Sequence, residues 1–575
     1  PERRPNAMTA DGTMLRRRAF IALCGSTGVG STLFPGVLWA QSDEGRIEIT
    51  TEMVDHAATV AGLTFSDADR ERMLEGLTAN QELFAELRNI GIDQNVPPVL
   101  YFNPAVPGQV FSDARTPFRL GPQPDRERPD RLDDIAFWPV TEIAALVKAQ
   151  EVSSTELTEM YLDRIRRFDP ELRAVITVTE DRALAQATRA DEEIANGLYR
   201  GPLHGIPWGA KDLLAVRGYR TTWGFKAYED QVIDMDATVV GRLDDAGAVL
   251  IAKFSTGEIA RGDQWLGIQT KNPWRTSEGS GGSSAGPASA TAAGLVGFSI
   301  GTDTSGSIVG PSRTCGITGL RPTFGRVSRH GVMPVCWSLD KVGPMCRTVE
   351  DCALVFEAIY GSDGQDLAIV DKPFNWDGNR SIDGMRVGYL QAAFDRDEEN
   401  TAALENDLAT LEWLRSAGVE LLPVELPDHA DMDELQMLLV DEAAAFDELV
   451  TQGGIEHFRQ DIDEPEDMLM RIARLHPAVE YLQINRRRML LMQGMAKIFD
   501  DVDVMLTPFD GSPVQGATSL TGHPSVAVQN GFDADGKPTG IQFIGQLYGE
   551  ATAMLLALRY QQSNRLYRQN PPEFI

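Results

Sequence analysis

Short apolar runs alternate along the chain with longer segments whose apolar residues have helical spacing. The runs that predict buried strands are Val175–Val178, Val249–Lys253, Val296–Ile300, Val387–Leu390, Val419–Val424 and Val502–Leu506. Ahead of the first run, Ser153–Glu156 has the sequence of a capping box and begins an amphipathic helix whose apolar face extends from Leu157 to Ile165. This alternation predicts an α/β fold in which helices cover both faces of a large, mostly parallel twisted sheet.

One pair of strands near the C-terminus is predicted to be antiparallel. Ser525–Val528 and Gly540–Ile544 flank Asp535-Gly536, a dipeptide that is typical of hairpin turns. The predicted sheet is therefore mixed, with an antiparallel hairpin beside its parallel strands.

The residues before the main domain have a different pattern. Helical spacing continues through 49–92, and eight of the 36 residues from Asn95 to Asp130 are proline. Proline lacks the N–H donor that helix interiors and central strands require, so this second segment is predicted to be an extended arm. We expect residues 45–130 to form an extension that wraps a main domain at 131–575.

The composition limits the classes of function. The chain has 575 residues, of which 42% are hydrophobic, and its formal net charge is −31. This charge excludes general nucleic-acid binding, because contacts with phosphate groups need clustered Lys and Arg. No later stretch is an unbroken apolar run long enough to predict a stable membrane span.

The first forty residues are typical of a targeting segment. From Met14 to Gln41 a basic cluster precedes a moderately apolar run that contains several Gly and Ser residues. Arg17-Arg18 followed by Phe20 resembles a twin-arginine export signal, and the run is too polar for a stable anchor, although a retained anchor is the alternative. We therefore expect 1–40 to hold upstream residues and an export signal, and the protein to be periplasmic or secreted.

Four cysteines follow the predicted signal without the spacing of a zinc site. Cys315, Cys336, Cys346 and Cys352 include no CxxC pair, and the chain has only seven histidines. A disulfide among the four is compatible with export, whereas buried free thiols are the favoured interpretation. No metal is predicted.

The candidate chemistry is concentrated in a glycine- and serine-rich stretch, 279–311. It holds Ser283 and Ser284 in one cluster and Ser305 and Ser307 in another, separated by small residues that predict a closely packed helix. Glycine permits backbone conformations that a Cβ would forbid, so serines framed by glycines are presented together with free backbone N–H groups. A nucleophile and its oxyanion hole need that arrangement, whereas a flexible linker is the alternative interpretation.

Two other serine motifs are present. Gly282–Gly286 fits the G-x-S-x-G nucleophile elbow of an α/β-hydrolase esterase, with Ser284 as nucleophile and His523 as candidate base. An elbow should follow a strand, whereas the segment ahead of this motif is polar and glycine-rich. Ser338-x-x-Lys341 fits the penicillin-recognising pattern, but no S-D-N or K-T-G motif follows it.

A candidate base lies upstream, in the sequence GPLHGIPWGAKDLLAVRG. Lys211 has apolar neighbours there from Ile206 to Leu214. Loss of hydration lowers the pKa of a packed lysine and favours its neutral amine. Taken alone, the pattern also fits a surface lysine whose stem packs on apolar residues; together with the serine stretch, it indicates a general base.

These residues resemble the amidase signature enzymes over roughly Asp133 to Pro572. The motifs that carry the resemblance are GPLHGIPWGAKD, GSGGSSAGPASATAAG, GTDTSGSIVGPS, CGITGLRPTFGRVS, WSLDKVGPMCRTVEDCA, DVMLTP, TGHPSVAV and GIQFIG. The family uses a Ser–cis-Ser–Lys triad, which implies Ser307 as nucleophile, Ser283 as relay serine and Lys211 as base. The resemblance also implies a cis peptide bond before Ser283. Its oxyanion hole of backbone N–H groups corresponds here to Thr304, Ser305, Gly306 and Ser307.

The nucleophile loop departs from the family pattern at two positions. Ser305 stands where Gly is usual, and Val309 stands where Arg is usual. The missing arginine removes a charge that would brace the loop against Asp303, and we hypothesise that Arg313 replaces it. An amidase-like binding scaffold with impaired catalysis is therefore an alternative.

The resemblance implies a serine amidohydrolase that cleaves the C–N bond of a carboxylic amide through an acyl-enzyme. Such an enzyme needs no metal or organic cofactor. Its expected partners are small amide, ester or carbamate substrates, and we expect a monomer or homodimer. The family's amidotransferase subunits work with cytosolic partners, so the predicted export signal argues against that role.

Overall fold

The computed structural model describes residues 49–89, 100–396, 401–431, 440–459, 466–509 and 513–575. The predicted export signal lies outside these residues. The chain divides into two compact units, Pro1–Ile92 and Asp93–Ile575. This division falls inside the predicted extension at 45–130, so its helical part and its proline-rich part belong to different units. No helix among the described residues has the length and apolarity that crossing a membrane requires.

The first unit contains two described helices, Thr51–Val60 and Asp67–Asn89. Thr50 caps the first of them, since its hydroxyl accepts a hydrogen bond from the Met53 N–H at 3.2 Å. The helical spacing of the sequence therefore has its expected counterpart in the structure.

The second unit is built on a mixed sheet. Its strands and those of two small hairpins are β1 Val175–Val178, β2 Pro207–Lys211, β3 Val249–Phe254, β4 Gln264–Trp265, β5 Ile268–Gln269, β6 Lys271–Asn272, β7 Arg275–Gly279, β8 Phe298–Asp303, β9 Thr318–Arg321, β10 Lys341–Cys346, β11 Arg386–Leu390, β12 Glu420–Val424, β13 Val504–Pro508, β14 Ser525–Phe532 and β15 Pro538–Gly545. The eleven-stranded sheet among the described residues has the order β1-β3-β2-β8-β10-β9-β14-β15-β13-β11-β12. Strands β4 and β5 form one small hairpin, and β6 and β7 form the other.

The predicted mixed α/β fold is confirmed, but antiparallel pairs outnumber parallel ones. Parallel pairing is confined to β2 with β3 and β8, and to β11 with β12 and β13. The other six neighbouring pairs are antiparallel, so the expectation of a mostly parallel sheet was wrong. Strands β14 and β15 form the predicted hairpin, whose turn contains Gly536 with φ of +76°.

Helices flank this sheet and fill the sequence between its strands. The described α-helices of the second unit are Val140–Lys148, Ser154–Leu172, Glu180–Ala195, Thr238–Asp245, Ala285–Ala292, Val309–Cys315, Val349–Ile359, Gln391–Phe394, Thr401–Ser416, Val440–Ala445, Asp447–Thr451, Glu466–Ala473, Ala478–Asp501, Val514–Thr521 and Glu550–Asn564. The predicted capping box is formed at Ser153, whose hydroxyl accepts from the Glu156 N–H while the Glu156 carboxylate accepts from the Ser153 N–H.

The proline-rich arm is extended along the second unit from residue 100 to 130. Its only β-type pairing among the described residues is the bridge of Arg119 with Asp377, where the Arg119 N–H donates to the Trp376 carbonyl at 3.0 Å. Glu350 holds the arm through the Gly121 N–H and through the Gln123 amide at 2.7 Å. The arm is therefore held by hydrogen bonds with the body of the unit rather than by a sheet of its own.

Candidate active site

Strand β2 places Lys211 inside the protein, between β3 and β8. The Lys211 side chain is fully buried, and its Nζ lies 2.8 Å from Ser283 Oγ and 2.8 Å from Thr302 Oγ1. Strand β2 approaches its neighbour closely at Gly209, where a Cβ would lie 1.9 Å from the Phe254 ring. Burial lowers the pKa of Lys211 to about 7, although the carboxylates of Asp303 and Asp340 oppose that shift.

Ser283 lies in the turn that leads into the helix Ala285–Ala292. The Gly282–Ser283 peptide bond is cis, as the resemblance implied. Gly282 is pressed against the Gly262 carbonyl so closely that a Cβ would lie 1.8 Å from its oxygen. The Ser283 side chain is only 1% exposed, and its hydroxyl is held between Lys211 and the space in front of the serine clusters.

Ser284 has a structural environment. Its hydroxyl donates to the Thr302 carbonyl at 3.0 Å and accepts from the Thr302 N–H at 3.2 Å, and the residue is fully buried. The Ser284 N–H donates to the Ser307 carbonyl at 3.1 Å, which joins the two serine clusters. A hydroxyl with both functions occupied by backbone groups is a poor nucleophile, so the geometry disfavours the elbow interpretation.

Asp303, the last residue of β8, shapes the loop that carries Ser307. Its Oδ1 accepts from the Gly306 N–H at 2.8 Å, and its Oδ2 accepts from the N–H groups of Ile308 at 2.8 Å and Val309 at 3.4 Å. Burial alone would raise the pKa of this carboxyl, but the charges of Arg321 and Lys341 and the two shorter hydrogen bonds lower it. The loop therefore curls around an ionised carboxylate.

This curl changes the predicted oxyanion hole. The Gly306 N–H points at Asp303 instead of at a substrate, so Gly306 is not a donor in this geometry. Among the described residues, the N–H groups of Ser305 and Ser307 have no protein acceptor, while Ser305 is exposed and Ser307 is half-buried. Thr304 is tied down through its hydroxyl, which donates to Asp340 Oδ1 at 2.7 Å.

The structure corrects the hypothesis about Arg313. Arg321, at the end of β9, lies beside Asp303, with 3.8 Å between Nη1 and Oδ1. The helix Val309–Cys315 turns the Arg313 side chain away toward β15, where its guanidinium stacks 5.9 Å from the centre of the Phe509 ring. No described ion pair joins Arg313 to Asp303.

The other candidate residues are not brought together as catalytic pairs. His523 shares a 2.7 Å hydrogen bond with the Thr521 hydroxyl and stacks on Phe499, and burial lowers its pKa to about 3. The Ser338 hydroxyl accepts from Arg488 at 2.9 Å, whereas Lys341 donates to the Thr304 carbonyl at 3.2 Å.

The four cysteines of the main domain are buried free thiols. None of them forms a disulfide with another described cysteine. The described residues contain no cluster of three His, Cys, Asp or Glu side chains that could hold a metal ion.

Three residues that contact the site carry little signal in the sequence. Thr302 binds the Lys211 amine, Asp340 binds Thr304, and Arg321 accompanies Asp303. Thr302 lies within the quoted GTDTSGS motif, yet its role depends on which face of β8 it occupies. Thr302 and Thr304 also line a cavity whose remaining wall is largely apolar, with Val332, Met333, Val335 and Trp337.

Comparison with known proteins gives consistent matches. The sequence model of the Amidase family matches residues 156–517. A glutamyl-tRNA(Gln) amidotransferase subunit from Methylococcus capsulatus is 34% identical over 481 residues, which cover 75% of this chain and 98% of that protein. The native peptide amidase structure from Stenotrophomonas maltophilia is 33% identical, with a TM-score of 0.68 over 77% of this chain and 99% of its own. The structure of a glutamyl-tRNA(Gln) amidotransferase subunit from Thermotoga maritima is 26% identical, with a TM-score of 0.61 over 75% of this chain and 95% of its own.

Proposed function

The chain belongs to the amidase signature family, and on that basis we propose that it is a serine amidohydrolase of small carboxylic amides. The observation that carries the proposal is the 2.8 Å contact between a fully buried Lys211 amine and the Ser283 hydroxyl. A lysine with a pKa near 7 is present in part as a neutral amine at neutral pH, and only that form accepts a proton.

The proposed first step is attack by Ser307 on the amide carbonyl. Neutral Lys211 has two N–H groups and one lone pair, so it can donate to Thr302 while its lone pair takes the proton of Ser283. Ser283 in turn takes the proton of Ser307 as the new C–O bond forms. The N–H groups of Ser305 and Ser307 then stabilise the oxyanion, and each such donor contributes about 10²–10³ in rate.

Collapse of the tetrahedral intermediate breaks the C–N bond. The proton held by Lys211 returns through Ser283 to the leaving amine, since an unprotonated amide nitrogen leaves very poorly. Water then attacks the acyl-enzyme by the same proton route in reverse and releases the carboxylic acid. The chain's own residues supply every proton position in this scheme.

The substrate class follows from the similarity to a peptide amidase and from the largely apolar cavity beside Thr304. We propose amides with an apolar group, such as peptide amides, aryl amides or carbamates, with activated esters as faster substitutes. A second candidate is a role as an amidotransferase subunit, which the 98% coverage of the Methylococcus capsulatus protein favours.

The proposed nucleophile is tested by comparing two serine variants. Ser307→Ala should abolish turnover of every amide and ester in a substrate panel, because it removes the attacking oxygen. Ser284→Ala removes a buried hydroxyl bonded only to Thr302, so it should lower stability by about 1–3 kcal/mol and leave most of the activity. A serine-directed sulfonyl fluoride should label the peptide that contains Ser307.

The opposite pattern would replace this assignment. If Ser284→Ala were inactive and Ser307→Ala retained turnover, the esterase elbow would be the better interpretation. If neither variant changed a measured turnover, the triad would be wrong. A chain that binds amides without any turnover would be the binding scaffold.

A further inference from the structure

Arg321 occupies an unusual place for a guanidinium. It is fully buried at the end of β9, and its Nη1 lies 3.8 Å from Asp303 Oδ1. Strand β10 separates β9 from β8, which carries Asp303, so the two residues meet across a neighbouring strand. The helix Val309–Cys315 lies between them in the sequence.

Arg321 also binds the helix Val514–Thr521 from the far side of the site. Its Nη1 donates to Ser519 Oγ at 2.8 Å, and its Nη2 donates to Thr518 Oγ1 at 2.7 Å. The guanidinium is therefore held in one position by neutral hydroxyl groups, while its charge is offset by Asp303. A buried ion needs such partners, because desolvation would otherwise disfavour it.

Gln515 completes a second link to the nucleophile loop. With its amide oriented to match the donors and acceptors around it, the Gln515 oxygen accepts from Arg321 Nη1 at 2.7 Å and from the Gly306 N–H at 3.2 Å. The amide nitrogen then donates to Gln542 Oε1 at 3.0 Å. Gly306 is thus held from two directions, by Asp303 and by Gln515.

We propose that Arg321 is a positioning residue for Ser307, which acts through Asp303 and Gln515. It fixes the Asp303 carboxylate, and that carboxylate turns the N–H groups of Gly306 and Ile308 inward. With those two N–H groups turned inward, the N–H groups of Ser305 and Ser307 face the substrate side of the loop. Arg321 supplies the brace that Val309 cannot provide. The proposal rests on the proposed amidase function for its kinetic readout.

A matched control exists in the same fold. Arg326 is also fully buried beside a buried carboxylate, Glu550, at 3.3 Å, and Glu550 likewise accepts from a backbone N–H, that of Thr323. Arg326 donates to the Lys372 carbonyl and has no described contact with the serine loops. Arg326→Met therefore removes an equivalent buried ion pair without touching Asp303.

The experiment compares Arg321→Met, Arg321→Lys and Arg326→Met in the full chain. Three quantities are measured: kcat and KM on one amide, the second-order rate of Ser307 labelling by a sulfonyl fluoride, and the unfolding temperature. Losing an aligned oxyanion donor should lower kcat and the labelling rate of Arg321→Met about 10²-fold, with KM little changed. Arg321→Lys, which keeps the charge, should recover about tenfold of that loss. Arg326→Met should lower the unfolding temperature but not the two rates.

Other results would overturn the proposal. Wild-type kcat and labelling in Arg321→Met, or an equal loss of both rates in Arg326→Met, would make Arg321 merely structural. If Arg321→Met is insoluble, Gln515→Leu decides: slower labelling at an unchanged unfolding temperature supports the brace, and wild-type labelling overturns it. Labelling needs no substrate, so failure of every amide in the panel would refute the amidase function while the labelling rates still test the position of Ser307.

Discussion

At the scale of single residues, burial and hydrogen bonding give Lys211 properties that its sequence neighbours only suggest. The apolar residues around it predicted a lowered pKa, and the structure adds full burial and two hydroxyl partners. The same apolar neighbours would suit a surface lysine. Only the meeting of β2 with β8 and the serine turn distinguishes the two cases, and a linear sequence does not show that meeting.

The first prediction concerns the pH dependence of the proposed reaction. Burial lowers the pKa of Lys211 to about 7, so the neutral amine is lost as the pH falls below that value. The rate constant kcat/KM for a non-ionising amide should therefore rise with pH through about 7 and then level off. Burial also lowers the pKa of Lys341 to about 7, so Lys341→Met is the control and should keep the same midpoint. A profile that falls through this range would contradict Lys211 as base.

The second prediction separates the two proton transfers assigned to Lys211. An amine leaves only when it is protonated, whereas the phenoxide of an activated ester leaves without help. Lys211→Ala should thus lower amide turnover by about 10²–10⁴ more than turnover of a matched nitrophenyl ester. The ratio of the two rates is the quantity to measure.

Lys253 provides the control for this ratio. It is equally buried, on the adjacent strand β3, but its ammonium pairs with Asp212 at 2.7 Å. Lys253→Ala should destabilise the fold and leave the amide-to-ester ratio unchanged. Equal losses on both substrates in Lys211→Ala would show that Lys211 is not the leaving-group acid.

Residues that act through a third partner were the hardest to predict. Lys211, Ser283 and Ser307 lie in long motifs, so the family resemblance was enough to name them. Arg321 belongs to one of those motifs, yet its relation to Asp303 depends on the strand order β8-β10-β9. Arg313 was favoured because it is nearer in sequence, and helix geometry directs it elsewhere. The inward turn of the Gly306 N–H likewise depends on a side-chain contact that spacing does not encode.

At the scale of secondary-structure elements, apolar runs predicted the central strands well. Strands β1, β3 and β11 begin within one residue of their predicted starts. Strand β8 begins two residues late and extends to Asp303, because the register with β10 continues to its end. The strands that were missed, β2 and β10, contain Gly, Pro and Lys, and their burial on both faces comes from their neighbours. Missing β10 also led to the wrong expectation of mostly parallel pairing.

The third prediction concerns the proline-rich arm. Glu350 is 6% exposed and binds the Gly121 N–H and the Gln123 amide, so Glu350→Ala leaves two donors without their acceptor. This change should reduce the free energy of unfolding by about 1–3 kcal/mol and make the arm more sensitive to limited proteolysis. Glu159→Ala, at an exposed helical position, is the control and should change neither quantity. Unchanged cleavage of the arm in Glu350→Ala would show that other contacts hold it.

At the scale of the whole molecule, the relatives and the N-terminal sequence point in different directions. The relatives from Methylococcus capsulatus and Thermotoga maritima are each named as one subunit of a tRNA-dependent amidotransferase. The sequence from Met14 to Gln41, which lies outside the described residues, instead predicts export. An exported chain would be separated from tRNA in the cytosol, so the location of the protein bears directly on which proposed function is correct.

The final prediction is that the protein is exported and acts without partner subunits. In a host with twin-arginine transport, we expect a mature N-terminus near Gln41 and amidase activity in the periplasm or medium. Changing both Arg17 and Arg18 to Lys keeps the positive charge but removes the paired guanidinium groups, so the precursor should stay in the cytosol. Replacing the basic pair Arg3 and Arg4 by Lys is the control, because it lies ahead of Met14 and should not affect export. Export of the Arg17, Arg18 variant at the wild-type level would rule out the twin-arginine route. Activity confined to the cytosol and dependent on a co-purifying protein would favour the amidotransferase instead, since a self-sufficient hydrolase needs only Lys211, Ser283 and Ser307 on one chain.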